Sequence, residues 1–135
     1  YWAEERLGRH RIGHAYSYKR ILNASGLLAL GTDFPIEHIN PLNTFFAAVD
    51  RTDQEKWPEG GFNADQKLSP KKALDGMTYG AAYSAFGEDS YGSIQIGQRA
   101  NFTLLNQNLY DGNSRDRKSC KVVRTILSGL VMYQE

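Results

Sequence analysis

The residues most able to do chemistry gather around one break in the chain. Leu27, Leu28, Ala29 and Leu30 form a short apolar run that gives way abruptly to Gly31, Thr32, Asp33, Phe34 and Pro35. The run reads as a buried strand. Pro35 cannot donate to a ladder and biases Phe34 away from helix, so the strand is expected to stop there. Asp33 would then stand where a buried strand opens into a loop, the edge at which ligands and chemistry collect in parallel α/β sheets and barrels. The plainer reading is that Asp33 satisfies the turn, as aspartates commonly do.

Other polar groups carry weaker signals. His10 and His14 are spaced to share a helix face, but Arg11 stands where the metalloprotease pattern places a glutamate, and Gly13 weakens the helix between them. Glu37 and His38 follow Asp33 on the same loop; bracing the loop and simple exposure are their ordinary roles. Cys120 has no adjacent His or Asp to mark it as a nucleophile.

Several elements must position these groups. Residues 11–23 predict a helix, because Ile12, Ala15, Tyr18, Ile21 and Leu22 recur at helical spacing and Ser25-Gly26 stops it. Helix, tight turn and apolar strand make one αβ unit of a parallel sheet. Pro41 suits a first helical position before the stripe Leu42, Phe45, Phe46 and Val49. Residues 50–67 form a long polar connection holding Trp57 and Phe62, readable either as a lid or as a loop pinned to the body. Ser69 and Pro70 fit the N-cap and first turn of a helix whose narrow apolar face runs through Ala73, Leu74, Met77, Ala81, Ala82 and Ala85 to Phe86-Gly87. From Tyr91 onward short runs at 93–96, 102–106, 122–127 and 130–133 predict strands, with Ser128-Gly129 as a hairpin corner. Residues 113–121 read as a polar, basic, solvated loop.

Composition bounds the possibilities. At 135 residues, 41% hydrophobic and 23% charged, the chain is an ordinary globular sequence of modest size. A net charge of +1 predicts no strong attraction to nucleic acid or anionic membrane. Its single cysteine excludes an intramolecular disulfide and a cysteine-based zinc cluster. No apolar run is long enough to span a bilayer. The chain starts at Tyr1 rather than an initiator methionine, so an upstream N-terminus is expected, with the cytoplasm as the favoured compartment.

Taken in order, these pieces resemble the C-terminal part of a metal-dependent amidohydrolase of the amidohydrolase 3, or YtcJ-like, family. The likeness lies in Trp-Ala-Glu-Glu-Arg-Leu-Gly at 2–8 and in Leu-Gly-Thr-Asp-Phe-Pro-Ile-Glu at 30–37, which resembles the end of the last barrel strand. Further on it lies in Pro41-Leu42 with Ala47, Ala48, Val49 and Arg51, in Leu68-Ser69-Pro70 through Tyr83, in Ile96-Gly97-Gln98-Arg99-Ala100-Asn101, and in the closing stretch from Thr125 to Val131. Asn101 stands where the family commonly has an aspartate.

The resemblance implies an α/β fold: a C-terminal fragment of a TIM (β/α)8 barrel over residues 1–90, then strands of a small composite β-sandwich domain over 91–135. It implies that Asp33 is both the catalytic carboxylate and a metal-site residue, taking a proton from a metal-bound water and protonating the leaving nitrogen. Gly31 and Pro35 support the turn. The cofactor implied is a divalent metal, zinc by preference, and the substrate a small amide-type molecule cleaved at a C–N bond other than a peptide bond.

The family's other ligands are a His-x-His pair, a Lys or Glu, and two further histidines, and this sequence has none of those segments. A catalytic zinc normally takes three protein ligands, so the isolated chain is expected to bind no metal and to be inactive. A TIM barrel takes about 250 residues, so missing neighbours are expected to leave apolar faces and a sheet edge that favour self-association or a companion chain. The alternative is a non-catalytic binding or assembly module that keeps an amidohydrolase-like tail.

Overall fold

A computed structural model describes residues 2–111 and 119–135. The basic loop expected at 113–121 lies largely outside the described residues. The chain runs α1 (Trp2–Arg11), a 3-10 turn (Ile12–His14), α2 (Tyr18–Ser25), α3 (Pro41–Val49), a second 3-10 turn (Ala64–Gln66), α4 (Pro70–Met77), α5 (Tyr79–Ser84), then strands β1 (Phe102–Leu105), β2 (Val122–Leu127) and β3 (Leu130–Gln134).

Local chemistry sets most helix ends. The Asn40 side chain accepts from the Leu42 N–H ahead of α3, and the Ser69 side chain accepts from the Lys72 N–H ahead of α4. Each satisfies a donor that the first turn leaves open, and a proline follows each cap. Gly26 ends α2 in the left-handed region, its N–H bonded to the Leu22 carbonyl at 2.8 Å. Gly8, at φ 69° and ψ 171°, kinks α1.

Two expected helices are interrupted. The helix predicted over 11–23 is instead a 3-10 turn, a bend and then α2, because Tyr16 takes φ 53° and Ser17 Oγ donates to the His14 carbonyl. The helix predicted from Pro70 to Phe86 divides at Thr78, whose φ −115° and ψ −87° are not helical. On either side of that break, Gly76 and Gly80 face the backbone of Leu28. A Cβ on Gly76 would meet the Leu28 carbonyl oxygen at 3.0 Å, and one on Gly80 would overlap it. This small-residue face therefore packs closely, and its neighbour is the stretch 27–30.

That stretch corrects the strand expected there. Residues 27–30 belong to no helix or strand. Its Leu30 N–H bonds the Gly76 carbonyl at 3.0 Å, a helix rather than a neighbouring strand. A strand needs a partner to satisfy alternate backbone groups, and no described residue supplies a parallel one. The strand expected at 93–96 is also irregular, with Ile94 and Ile96 both exposed.

The remaining strands fall where expected. They form one antiparallel sheet in the order β1-β2-β3. Phe102 stands opposite Ile126, and Leu127 opposite Leu130. Ser128 and Gly129, at φ 50° and 82°, make the two-residue corner between β2 and β3. Positive φ at both positions matches the twist that favours tight hairpins. The fold is thus mixed helix and sheet, with a three-stranded antiparallel sheet as the described β structure.

The core lies between α3 and α4. Phe45, Ala48, Leu68, Ala73, Leu109 and Cys120 are buried there, backed by the half-buried Leu22, Leu28 and Leu30. Large apolar side chains remain outside it. Ile36, Ile39 and Phe86 are exposed, as is every residue of β3.

Candidate functional site

Asp33 occupies the turn that follows residues 27–30. Its φ is 53°, a left-handed conformation that aspartate tolerates better than most side chains. Its carbonyl accepts the Ile36 N–H at 2.8 Å, closing the turn 33–36, and Thr32 Oγ1 accepts the Phe34 N–H at 3.3 Å. The Phe34–Pro35 peptide is cis. Backbone and hydroxyl therefore hold this turn. The Asp33 side chain is exposed, and among the described residues no hydrogen bond or ion pair engages its carboxylate. The turn uses the residue's conformation and leaves its acid group open to whatever approaches.

The other sequence candidates disperse. Glu37 and His38 line an open cavity of about 800 Å³ with Asn43, Phe46 and Cys120. His38 Nδ1 accepts from the Asn40 N–H at 3.1 Å, so it serves its own loop at the entry to α3. His14 Nδ1 pairs with Arg20 Nη1 at 2.9 Å; because guanidinium only donates, that nitrogen accepts. His10 lies in the last turn of α1, beyond the Gly8 kink. Burial raises the Cys120 thiol above its ordinary range, and a backbone hydrogen bond from Gln107 offsets part of that. A thiol held protonated is a poor nucleophile. Among the described residues no cluster of three or more His, Cys, Asp or Glu could hold a metal ion. Asn101 plays a structural part, since its Oδ1 accepts the Ser128 N–H at 2.8 Å and ties the start of β1 to the hairpin corner.

A second constellation surrounds Arg51. This residue follows α3 at φ 61° and is only 6% exposed. Its backbone carbonyl accepts the Phe62 N–H, and its Nε donates to the Phe62 carbonyl. The two bonds fasten the loop 50–67 to the body. The Tyr18 ring lies 4.9 Å and the Phe62 ring 5.6 Å from its guanidinium carbon, within cation–π range. Burial lowers the Arg51 pKa, while Tyr18 and Asp65 push it back up. Phe62 thus pins the loop, whereas Trp57 stays half exposed. Nothing near Arg51 in sequence announced this, because the aromatic partners come from 2 separate stretches, at Tyr18 and at Phe62.

With this geometry in place, comparison with known proteins defines the class. The chain belongs to the amidohydrolase family, whose model matches residues 1–133. It is similar to the protein LONG AFTER FAR-RED 3 of Arabidopsis thaliana, at 35% identity over 96% of this chain and 22% of that protein. It is similar also to YtcJ of Bacillus subtilis strain 168, which carries a provisional amidohydrolase name, at 28% identity over 99% of this chain and 25% of that protein. N-substituted formamide deformylase of Arthrobacter pascens matches at 24% identity over 88% of this chain and 21% of its own length. The chain therefore spans about a quarter or less of each of these relatives. No solved structure matches. Among the described residues no helix is long and apolar enough to cross a membrane.

Proposed function

We propose that these residues form the C-terminal section of a metal-dependent amidohydrolase that hydrolyses a C–N bond other than a peptide bond in a small amide-type substrate. The observation that carries this reading is the family match over residues 1–133, which takes in Asp33 and its turn. The names of two relatives support it, one an amidohydrolase and one a formamide deformylase.

The described residues do not by themselves fit a catalytic metal. Asp33 is a single carboxylate, no cluster of three candidate ligands accompanies it, and a catalytic zinc normally has three protein ligands. A divalent metal, zinc by preference, would be held in the full-length enzyme by Asp33 together with further ligands, and the chain alone is expected to be inactive. Asp33 supplies proton transfer: its carboxylate accepts a proton from the attacking water and returns it to the leaving nitrogen.

The test is Asp33→Asn in the complete polypeptide that carries these residues, assayed on a panel of amides including an N-substituted formamide. Asparagine also tolerates the left-handed turn, so the fold is kept while the base is lost. Removing a general acid–base is expected to lower kcat by about 10²–10⁴-fold, with Asp33→Glu retaining part of the activity. Unchanged turnover by Asp33→Asn would remove Asp33 from the mechanism; no amide hydrolysis by the unaltered polypeptide would favour the assembly-module reading.

A further inference from the structure

The pocket beside Arg51 is not explained by anything proposed for Asp33. It holds about 350 Å³ and is walled by Tyr16, Tyr18, Trp57 and Phe62, with Arg51 and Asp53 as its charged members. None of its lining residues comes from the Asp33 turn.

Arg51 is an unusual wall for such a pocket. A guanidinium carries five N–H donors in a planar fork. Here only Nε has an acceptor among the described residues, the Phe62 carbonyl at 2.9 Å. Nη2 is buried with no hydrogen-bond partner. The residue as a whole is only 6% exposed, and no described carboxylate lies within ion-pair distance of it. Leaving a buried charged donor unsatisfied is costly, and cation–π contact with Tyr18 and Phe62 replaces only part of its lost hydration. Asp53, the other charged group, accepts the Trp57 N–H at its Oδ1, at 2.9 Å.

The Nη end of this guanidinium, with Nη2 unpartnered, lies beside flat aromatic walls and suits one ligand chemistry best. The fork matches a carboxylate, which can accept two parallel N–H bonds. The rings match a planar or apolar body attached to it. The pocket is large enough for a ligand of benzoate size. We propose that the pocket formed by Arg51, Tyr16, Tyr18, Trp57 and Phe62 binds a small carboxylate ligand from solution, with Arg51 holding the carboxylate and the aromatic rings holding its apolar body.

Benzoate is the probe and benzamide its uncharged control, titrated by calorimetry into the complete polypeptide. A charge-assisted hydrogen bond distinguishes them, so benzoate is expected to bind about tenfold or more tightly than benzamide. Arg51→Gln is expected to abolish the difference. Arg51 also fastens its loop and that variant can unfold, so Arg51→Lys is measured beside it: it keeps the charge, loses the fork, and is expected to weaken benzoate several-fold. Quenching of fluorescence on titration, lost in Trp57→Phe while the calorimetric signal persists, locates the ligand against this wall. Equal affinity for benzoate and benzamide, no benzoate binding, or unchanged benzoate affinity in Arg51→Lys would each overturn the proposal. A carboxylate supplied to the pocket by another part of the same polypeptide would appear as absent benzoate binding and count against it.

Discussion

At φ 53°, Asp33 is held by the backbone of its own turn, and its carboxylate is left to the solvent side. Asp33 is therefore a turn aspartate, and the turn does not engage its acid group. The turn was legible because glycine, a hydroxyl, aspartate and proline in succession restrict the backbone locally. Arg51 was not legible in the same way. Its burial depends on Tyr18 and Phe62 arriving from opposite directions along the chain, and no local pattern encodes that. Cys120 offers a test at this scale. Burial favours its protonated form, so the folded thiol titrates above the ordinary value of 9.0. As pH rises past that value the unfolded chain releases the proton while the folded chain keeps it, so stability falls with rising pH. Thermal melts between neutral and strongly alkaline pH are expected to show a decline that Cys120→Ala lacks. Parallel melting curves for the two proteins would contradict this.

Among the elements, the two well-capped helices were read correctly at their starts and the second incorrectly in its middle. Asn40-Pro41 and Ser69-Pro70 are local signals acting within one turn. The break at Thr78 is a tertiary event, set where Gly76 and Gly80 meet the Leu28 backbone. Two glycines on either side of the break permit such an approach, but sequence does not say what approaches. Gly80→Ala separates the two influences. In an isolated helix alanine is favoured over glycine by about 1 kcal/mol. Here the added Cβ would overlap the Leu28 carbonyl oxygen, a backbone atom that cannot move aside cheaply. Overpacking of this kind costs about 1–3 kcal/mol, so Gly80→Ala is expected to lower the melting temperature. Gly13→Ala, with nothing within 4 Å of the new methyl, serves as the neutral comparison. A stabilised Gly80→Ala would mean that α5 does not press on residues 27–30. The hairpin at Ser128-Gly129 was legible for the opposite reason: two positive φ values in a row are a demand that the sequence itself must meet.

For the whole molecule, the absence of a parallel partner for residues 27–30 among the described residues is the informative result. Apolar Leu27, Leu28 and Leu30 remain only half-buried, while Ile36, Ile39, Ile94 and the whole of β3 are exposed. Hydrophobic patterning marks these positions as apolar, but pairing is a property of neighbours, and no described residue pairs with 27–30 as a strand. The same holds for chemistry. One carboxylate at a turn was readable from sequence, whereas a metal site is a constellation, and the described residues contain none. The most direct test is metal content, measured together with amide hydrolysis, on the complete polypeptide and on the same protein cut to residues 1–135. Stoichiometric divalent metal and chelator-sensitive hydrolysis are expected in the complete polypeptide, and neither metal nor hydrolysis in the shorter chain. Tight stoichiometric zinc, or turnover, in the shorter chain alone would contradict it.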